Sequence, residues 1–302
     1  MNLERFKGTI NLAIPLHRFT TWKIGGIADM VVIPQDKTDL EILVYELSKT
    51  NTPWLILGNG SNILFSDNGY RGAVIILGDG FKHISTEDSM IRAGAAASLH
   101  QLAQKTAQTG LAGLEELAGI PGTVGGAAFV NAGAHGKSLM DYCTAVHGIN
   151  ALGKQTTLTT FRPEYRSGGL PDNFIITDID LKLTFKNPSE IHALMTKYLE
   201  KRRSTQPLAD ASAGCTFKNP DNRGAGRLID ELGLKGFQKG RAMISSKHAN
   251  FIINIGEAKA SDVIDIIRHV RMKVWKSCGV RLQLEVLIID EYGNPQNPGR
   301  IP

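Results

Sequence analysis

Residues 113–136 read GLEELAGIPGTVGGAAFVNAGAHG, and this stretch carries most of the information about the fold. Seven of its 24 residues are glycine, yet leucine, isoleucine, valine and phenylalanine are interspersed, which is not the composition of a flexible linker. Small residues between apolar ones allow backbone to pack closely against backbone or against a flat ligand ring. The stretch therefore indicates a segment that contacts a ligand, with a buried structural crossover as the alternative.

A second glycine-rich stretch, LGNGSN at 57–62, directly follows a short buried strand predicted at 54–57. Glycines in that position let backbone N–H groups approach a phosphate, and Ser61 and Asn62 add side-chain donors. A tight turn explains the same pattern. The stretch is not the dinucleotide-binding fingerprint, because no third glycine follows and Ile63-Leu64-Phe65 does not open a helix.

The 302 residues are 42% hydrophobic and 21% charged, an ordinary globular balance, and their number suggests two domains. No apolar run approaches the roughly 18–20 residues that a membrane span needs. Three widely separated cysteines fit a reducing cytoplasm rather than a disulfide framework. The net charge of +5 suits an anionic substrate, but it is spread too evenly to indicate nucleic acid. No histidine or cysteine spacing indicates a metal site.

Apolar periodicity predicts alternating helices and strands, which is typical of an α+β or α/β protein. We expect a helix at 39–49 that begins with a Thr38/Glu41 capping box, and a helix that Ser98 and Gln101 cap and that ends near Gly110. In the helix at 39–49, Leu40, Leu43, Val44 and Leu47 recur at helical spacing. Another predicted helix begins at Ser189 and has Ile191, Leu194, Met195, Tyr198 and Leu199 on one face. A short helix is predicted near 225–232, and a long one at 262–277 is built on Val263, Ile266, Ile267, Val270 and Val274. The predicted strands are 54–57, 73–77, 90–93, 179–185, 249–254 and 282–289, and apolar residues alternate with other residues along 179–185 and 282–289.

The basic, proline-bearing stretch 201–207, KRRSTQP, is the predicted domain boundary. We expect a first domain of two lobes, at about 1–72 and 73–200, and a second domain at 201–302. The last strand, near 282–289, is expected to pack back on the first lobe.

Eight short motifs occur along the chain between roughly residues 5 and 290. They are Thr20–Gly26 (TTWKIGG), Gly58–Asn62, Gly119–Gly136, Tyr165-Arg166-Ser167, Ala213–Pro220 (AGCTFKNP), Gly233–Gly236 (GLKG), Ser246–Phe251 (SKHANF) and Leu284-Glu285-Val286. Together they resemble the UDP-N-acetylenolpyruvoylglucosamine reductase family, in its shorter class without an inserted tyrosine-bearing loop. They follow the family's order, and a match of so many motifs in order is far more specific than one glycine turn.

The resemblance implies a two-lobed FAD-binding domain of the vanillyl-alcohol-oxidase (PCMH) type at 1–200 and an α+β substrate-binding domain at 201–302. It implies an FAD-dependent oxidoreductase of peptidoglycan precursor synthesis, which uses NADPH to reduce the enolpyruvyl group of UDP-N-acetylglucosamine enolpyruvate to UDP-N-acetylmuramate. FAD is expected to bind non-covalently, and NADPH to share the pocket of the UDP-linked sugar. We expect a cytoplasmic monomer without nucleic-acid or membrane partners.

The implied reaction needs a proton donor, a cation that stabilises charge growing on the substrate carboxylate, and a further polar group near the enolate. Cys215 stands where the family most often has serine and is expected to be the donor, because a thiol with a pKa of about 8.5 gives up a proton more readily than an alcohol. A small buried cysteine without a role is the alternative. Arg166 matches the cation, since its planar guanidinium suits a carboxylate, and Glu285 matches the polar group.

The binding residues are carried over from the same motifs. His135 stands where the family usually has tyrosine, and it is expected to keep a stacking or hydrogen-bonding role. The candidates for FAD are Gly58, Asn59, Gly60, Ser61, Asn62, Ile120, Gly122, Thr123, Gly125, Gly126, Asn131, Ala132 and Gly136. The candidates for the UDP-sugar are Tyr165, Lys218, Asn219, Lys247, His248 and Arg203.

Two other functions fit parts of the sequence. A different flavoenzyme on the same fold would oxidise a small alcohol and lack affinity for UDP. A nucleotide-binding module without catalysis would use the glycine loops for phosphates and be colourless, whereas a flavoenzyme is yellow. The reductase is favoured because the donor, the cation and the carboxylate occur in the family's order.

Overall fold

The computed structural model describes residues 4–150, 152–171, 173–220 and 223–298. The helices are α1 Lys37–Lys49, α2 Leu99–Gln108, α3 Val124–Phe129, α4 Pro188–Thr205, α5 Ala225–Glu231 and α6 Ala260–Cys278. The strands are β1 Thr9–Pro15, β2 Ile27–Ile33, β3 Trp54–Ile56, β4 Ile63–Phe65, β5 Tyr70–Ile75, β6 Ile84–Glu87, β7 Met90–Gly94, β8 Leu111–Ala112, β9 Gly133–Ala134, β10 Lys137–Ser138, β11 Cys143–Ile149, β12 Gln155–Leu158, β13 Ile175–Lys182, β14 Thr184–Phe185, β15 Gln238–Lys239, β16 Ala242–Ile244, β17 Ile252–Asn254, β18 Leu287–Ile289 and β19 Pro295–Gln296.

The chain divides into two compact units that are not continuous in sequence. Unit 1 comprises residues 1–11, 31–59 and 74–202, and unit 2 comprises residues 12–30, 60–73 and 203–302. A four-stranded sheet has the order β1-β2-β5-β3, and three boundaries between the units fall within its strands. Among the described residues, no helix is both long enough and apolar enough to cross a membrane.

The largest sheet of unit 1 is antiparallel and has the strand order β12-β11-β13-β7-β6. Its central strand β13 is buried along nearly its whole length. The alternation predicted for 179–185 is present from residue 179 to residue 184, because Ile179, Leu181 and Leu183 are buried whereas Lys182 and Thr184 are exposed. Phe185, which was expected on the buried face, is exposed. Helix α2 forms as predicted, because the Ser98 side chain accepts a hydrogen bond from Gln101 N and Gly110 takes a positive φ of 72°.

Helix α1 begins two residues earlier than predicted. The side chain of Asp36 accepts a hydrogen bond from Asp39 N at 2.9 Å, so Asp36 is the N-cap. The predicted capping box of Thr38 and Glu41 is therefore wrong; aspartate caps a helix at least as well as threonine, and here it lies two residues nearer β2. The apolar face that the periodicity predicted is buried, with Leu40, Leu43, Val44 and Leu47 fully inside.

Unit 2 is built around α6, whose buried face includes the five predicted residues Val263, Ile266, Ile267, Val270 and Val274 together with Ala260 and Arg271. The same core contains residues from far earlier in the chain, including Trp22, Ile24 and Leu64. Trp22 Nε1 donates a hydrogen bond to Ile252 O at 2.7 Å, and Asn254 Nδ2 donates to Trp22 O at 2.9 Å. Residues near 20 and near 250 are thus held together by both packing and hydrogen bonds.

The last predicted strand is shorter than expected, because only Leu287–Ile289 forms the regular strand β18. It pairs in parallel with β4 and antiparallel with β19. Residues 282–286 nevertheless keep the predicted alternation, since Leu282 and Val286 are buried whereas Gln283 is exposed. This segment makes its backbone pairs with another part of unit 2, as described below.

Asp178 is a buried charged residue at the centre of unit 1. Its carboxylate lies 2.7 Å from Lys37 Nζ and 2.8 Å from His83 Nε2, and the Thr177 hydroxyl donates to it at 2.8 Å. Burial disfavours the charged form, but the hydrogen bonds from Lys37 and Thr177 outweigh it and hold the pKa of Asp178 below its ordinary value. The Asp178 carboxylate, and with it the ion pair with Lys37, therefore persists at neutral pH.

Asp180 lies two residues further along β13 and on the same face, since strand side chains alternate. Arg92 donates two hydrogen bonds to it, each of 2.7 Å, and His147 Nε2 lies 2.9 Å away. The bonds from Arg92 lower the pKa of the Asp180 carboxyl in spite of partial burial. A bidentate guanidinium pair on a central strand ties β7 to β13 beyond their backbone bonds.

We predict that Asp178→Asn lowers the free energy of unfolding at pH 7 by about 1–3 kcal/mol, the range for losing hydrogen bonds to a charged group. Because the folded pKa of Asp178 is depressed, its contribution is present above the unfolded pKa of about 3.9 and is lost as the pH falls through the folded pKa. Denaturant unfolding at pH 7 and below pH 4 measures this, and the difference between the variant and the parent should shrink in acid.

Asp79→Asn is the matched control, because the Asp79 side chain is 95% exposed and its pair with Lys82 spans only three residues. Exposed ion pairs contribute little, so its effect should be close to zero. Equal losses for the two variants would contradict the role given to Asp178.

Candidate functional site

The segment 215–218 is paired along both of its edges in unit 2. On one edge Cys215 bridges Phe251, and Thr216 N donates to Asn250 O at 2.8 Å. Such pairing satisfies the backbone polar groups of a segment that is partly buried.

On the other edge Phe217 bridges Leu284, Lys218 N donates to Gln283 O at 2.9 Å, and Glu285 N donates to Thr216 O at 2.9 Å. Because it is paired on both edges, the segment takes the place of a short central strand, although it is not a regular strand.

This pairing brings predicted site residues together. Cys215 and Glu285 lie on neighbouring segments and are both half-buried, and the Cys215 thiol is not in a disulfide. Asn62, from the first glycine loop, donates from Nδ2 to Glu285 O at 3.2 Å. One predicted FAD residue, the predicted proton donor and the predicted carboxylate therefore lie on adjoining segments of unit 2.

The predicted substrate residues of unit 2 have distinct surroundings. Lys247 is exposed, and its Nζ donates to Arg203 O at 2.5 Å. Asn219 Oδ1 accepts from Ala225 N at 3.0 Å, at the start of α5. His248 Nδ1 accepts from Asn250 N at 3.3 Å, so a neutral His248 carries its proton on Nε2, where it is a donor.

In unit 1 the two glycine-rich stretches touch. A Cβ at Gly58 would lie 2.6 Å from Thr123 Oγ1, and one at Gly125 would lie 2.7 Å from Ala95 Cβ. Neither position has room for a larger residue. Thr123 also caps α3, accepting a hydrogen bond from Gly126 N at 3.2 Å, while Gly126 itself is exposed. Gly125 thus packs closely against the backbone region of Ala95, whereas Gly126 is open, and contact of this stretch with a ligand stays a prediction.

The remaining FAD candidates lie around the same turn. Gly122 has a φ of 150°, Asn131 has a φ of 46°, and space around Gly136 is open to 4 Å. Asn131 Nδ2 donates to Glu164 O at 3.0 Å, and its Oδ1 accepts from Met140 N at 3.3 Å. Ala132 N donates to Ala127 O at 2.7 Å, and Ile120 is half-buried.

Arg166 is half-buried in unit 1 and has a φ of 61°, which is unusual for a residue other than glycine. Its Nη1 donates to Gly133 O at 3.3 Å, and its guanidinium carbon lies 5.0 Å from the centre of the exposed Tyr165 ring. The fold thus holds Arg166 to the end of the glycine-rich run and beside the predicted substrate residue Tyr165.

His135 stacks on Tyr198 with ring centres 4.6 Å apart; its expected role toward a ligand stays a prediction. Burial and the nearby cation Lys201 lower the pKa of His135. Tyr198 OH donates to Glu116 Oε1 at 3.4 Å. The sequence pattern placed Tyr198 on the apolar face of a helix, and only the folded chain shows it beside His135.

A cavity of about 1090 Å³ in unit 2 was not predicted. Its lining contains the cations Lys23 and Lys259, the imidazole of His17 and the carboxylates of Asp67, Asp210 and Glu257. Asp67 accepts hydrogen bonds from the first backbone N–H groups of α6. No residue predicted for catalysis or binding lines this cavity.

Comparison with known proteins identifies the class of protein to which this chain belongs. Residues 28–159 match an FAD binding domain, and residues 206–289 match the C-terminal domain of UDP-N-acetylenolpyruvoylglucosamine reductase. The tight glycine packing fits an FAD site, because it leaves the backbone at Gly126 and Gly136 open to a close-fitting ligand. The fold and site thus define an FAD-dependent oxidoreductase of the α+β class.

Full-length relatives supply the family. UDP-N-acetylenolpyruvoylglucosamine reductase of Heliobacterium modesticaldum is 38% identical over 301 residues, which cover 97% of this chain and 95% of the relative. The enzyme of Bacillus subtilis is 38% identical over 290 residues, covering 95% and 96%. A crystal structure of the reductase from Thermus caldophilus superposes with a TM-score of 0.80 at 36% identity, covering 94% and 99%. The chain belongs to the UDP-N-acetylenolpyruvoylglucosamine reductase family.

These findings confirm the predicted family, the predicted fold class, and FAD and NADPH as the cofactors of the family. The roles of the individual site residues stay predictions. The structure adds residues that the sequence did not single out, Tyr198 and Asn250 among them, because their partners are distant in the chain.

Thr216 presents an unexplained polar group next to Cys215. Thr216 is 1% exposed, and within the described part of the chain its Oγ1 has no hydrogen-bond partner. A buried hydroxyl without a partner is costly. Thr216→Val should therefore raise the free energy of unfolding by about 1 kcal/mol, measured by denaturant titration. A fall would reveal a bound partner for the hydroxyl, such as a buried water.

Proposed function

We propose that this chain reduces the enolpyruvyl group of UDP-N-acetylglucosamine enolpyruvate to UDP-N-acetylmuramate with NADPH, in peptidoglycan precursor synthesis. The observation that carries the proposal is family membership over 97% of the chain. The pairing of the Cys215 segment with the Glu285 segment supports it, since the reaction needs an acid and a polar group side by side.

FAD supplies hydride transfer when bound. The glycine loop 58–62 and the turn 120–136 are proposed to hold it, with Ser61 and Asn62 as side-chain donors near the pyrophosphate. Tight contacts at Gly58 and Gly125 make the backbone of this region rigid, which favours precise placement of a cofactor.

Cys215 is proposed to donate the proton to the carbon next to the substrate carboxylate. Its half-buried side chain is accessible enough to meet a ligand, and a thiol is largely protonated at neutral pH. Cys143 differs, because burial raises the pKa of its thiol to about 12 and its Sγ donates to Ala145 O. Cys143 therefore has the character of a structural cysteine.

The other roles follow from charge and geometry. Arg166 is proposed to stabilise the negative charge that grows on the substrate carboxylate, which a planar guanidinium does well. Glu285 is proposed to orient or share a proton with the enolate. Lys247 is proposed to bind the diphosphate of the UDP-sugar, and Arg203 is a weaker candidate for the same contact. The further proposed contacts to the UDP-sugar are Tyr165, Lys218, Asn219 and His248. A monomeric state and a cytoplasmic location are part of the proposal.

Anaerobic stopped-flow spectroscopy tests the donor. The enzyme is reduced with NADPH and then mixed with the enolpyruvyl UDP-sugar while flavin absorbance is followed. Cys215→Ala should leave reduction by NADPH within about threefold of the parent and slow reoxidation by roughly 10²–10⁴-fold, the range for losing a general acid. Cys215→Ser should retain most of the rate, because serine is the residue usual in the family.

Cys143→Ser is the matched control, because it removes a thiol that has no proposed role. It should leave both half-reactions unchanged. Reoxidation of Cys215→Ala at the parental rate would eliminate the proposed donor, and failure of the parent enzyme to reoxidise with this substrate would eliminate the proposed reaction.

Gly58→Ala tests the proposed FAD loop. The added methyl would meet Thr123 Oγ1, so the loop or the cap must shift, and FAD affinity should fall by about tenfold or more, roughly the effect of 1–3 kcal/mol of overpacking. Fluorescence titration of apoprotein with FAD measures it. Gly224→Ala is the control, since its nearest new contact is 3.9 Å away, and equal affinities for the two variants would contradict the assignment.

A further inference from the structure

We infer that Asn250 is a positioning residue for the proposed reaction, and that its side-chain amide holds Cys215 and Glu285 in register. The inference rests on the proposed function for the roles of those two residues. It rests on geometry for everything else, and Asn250 itself is not proposed to touch the substrate.

The side chain of Asn250 forms two hydrogen bonds with the backbone of a single residue. Phe217 N donates to Asn250 Oδ1 at 3.0 Å, and Asn250 Nδ2 donates to Phe217 O at 2.8 Å. Asn250 is 2% exposed and Phe217 is 1% exposed. A fully buried amide thus pairs with a backbone peptide group as a neighbouring strand would.

The backbone of Asn250 extends this pairing by one residue. Thr216 N donates to Asn250 O at 2.8 Å, and the next residue, Phe251, bridges Cys215. Regular strand β17 begins only at Ile252. The Asn250 side chain therefore extends the pairing with residues 215–217 to a position before β17 begins.

The same three residues are the pairing partner of the Glu285 segment on their far edge. Phe217 bridges Leu284, and Thr216 O accepts from Glu285 N. A shift of 215–217 along its axis would therefore displace the thiol and the carboxylate together. Displacements of about 1 Å can cost roughly 10²-fold in rate, so this register matters to the chemistry.

Substitution should loosen the register without removing a reacting group. Asn250→Ala leaves Phe217 N–H and C=O without their partners in a buried place. Asn250→Asp keeps the acceptor for Phe217 N but loses the donor to Phe217 O, so its effect should lie between those of alanine and asparagine.

Asn254→Ala is a matched control from the same unit. The Asn254 side chain makes three hydrogen bonds to backbone groups, one more than that of Asn250, donating to Trp22 O at 2.9 Å and accepting from Gly256 N and Ala258 N at 2.8 and 3.0 Å. None of these partners lies in 215–217 or 282–286. It should reproduce the loss of stability without the loss of register.

The first measurement needs neither cofactor nor substrate. In a Cys143→Ser, Cys278→Ser background, the rate of iodoacetamide alkylation of Cys215 is followed against pH. Asn250→Ala should change that rate by about fivefold or more, since thiol reactivity follows its surroundings, while Asn254→Ala should stay within about twofold. Equal rates for the two variants would overturn the inference.

The second measurement is stopped-flow reoxidation by the enolpyruvyl UDP-sugar. The limiting rate should fall by about 10–100-fold in Asn250→Ala, by less in Asn250→Asp, and by under threefold in Asn254→Ala, with NADPH reduction preserved in all three. If Asn250→Ala does not fold, Asn250→Asp carries the comparison. A parent enzyme that fails to reoxidise refutes the proposed function alone, because the alkylation comparison still decides the role of Asn250.

Discussion

Backbone pairing of residues 215–218 along both edges is the constraint on which the candidate site of unit 2 depends. One edge meets residues 250–251 and the other meets residues 283–285. Neither neighbour is a long regular strand there, so a few backbone bonds and one buried amide set the register. The side chains proposed for chemistry are polar and half-buried, and they contribute little to stability. Their placement is therefore a property of the backbone that bears them.

The spacing of apolar residues predicted much of the fold, because a long amphipathic helix can be recognised from its own sequence. All the apolar residues that the spacing indicated for α1 and α6 are buried, and Asp39, Glu46 and Arg271 are buried beside them without having been predicted. Ser98 caps α2 as expected. The sequence misleads where two nearby residues could both cap the same helix, as Asp36 and Thr38 could at the start of α1. Strands of two or three residues, such as β8 and β9, escaped prediction because they are defined by distant partners rather than by their own sequence.

The candidate site was predictable only as far as its motifs reach. Family resemblance singled out Cys215, Glu285 and Asn62, and the fold shows the three on adjoining segments. Asn250 lay inside a quoted motif without a role, because its partner Phe217 is 33 residues away and the bond joins a side chain to a backbone. Tyr198 looked like core for a similar reason. An apolar helix face does not reveal which of its rings meets a histidine from another segment.

The core of unit 2 incorporates Trp22, Ile24 and Leu64, and this has a consequence for biosynthesis. A ribosome delivers those residues long before α6 and β18, so in the nascent chain Trp22 and β4 remain without their folded partners until residues 252–289 have been synthesised. Closure of a loop of some two hundred residues then completes the unit, which slows its folding relative to locally connected folds. Protection of the nascent amino-terminal region by a chaperone during that interval would be of direct benefit to the yield of active enzyme.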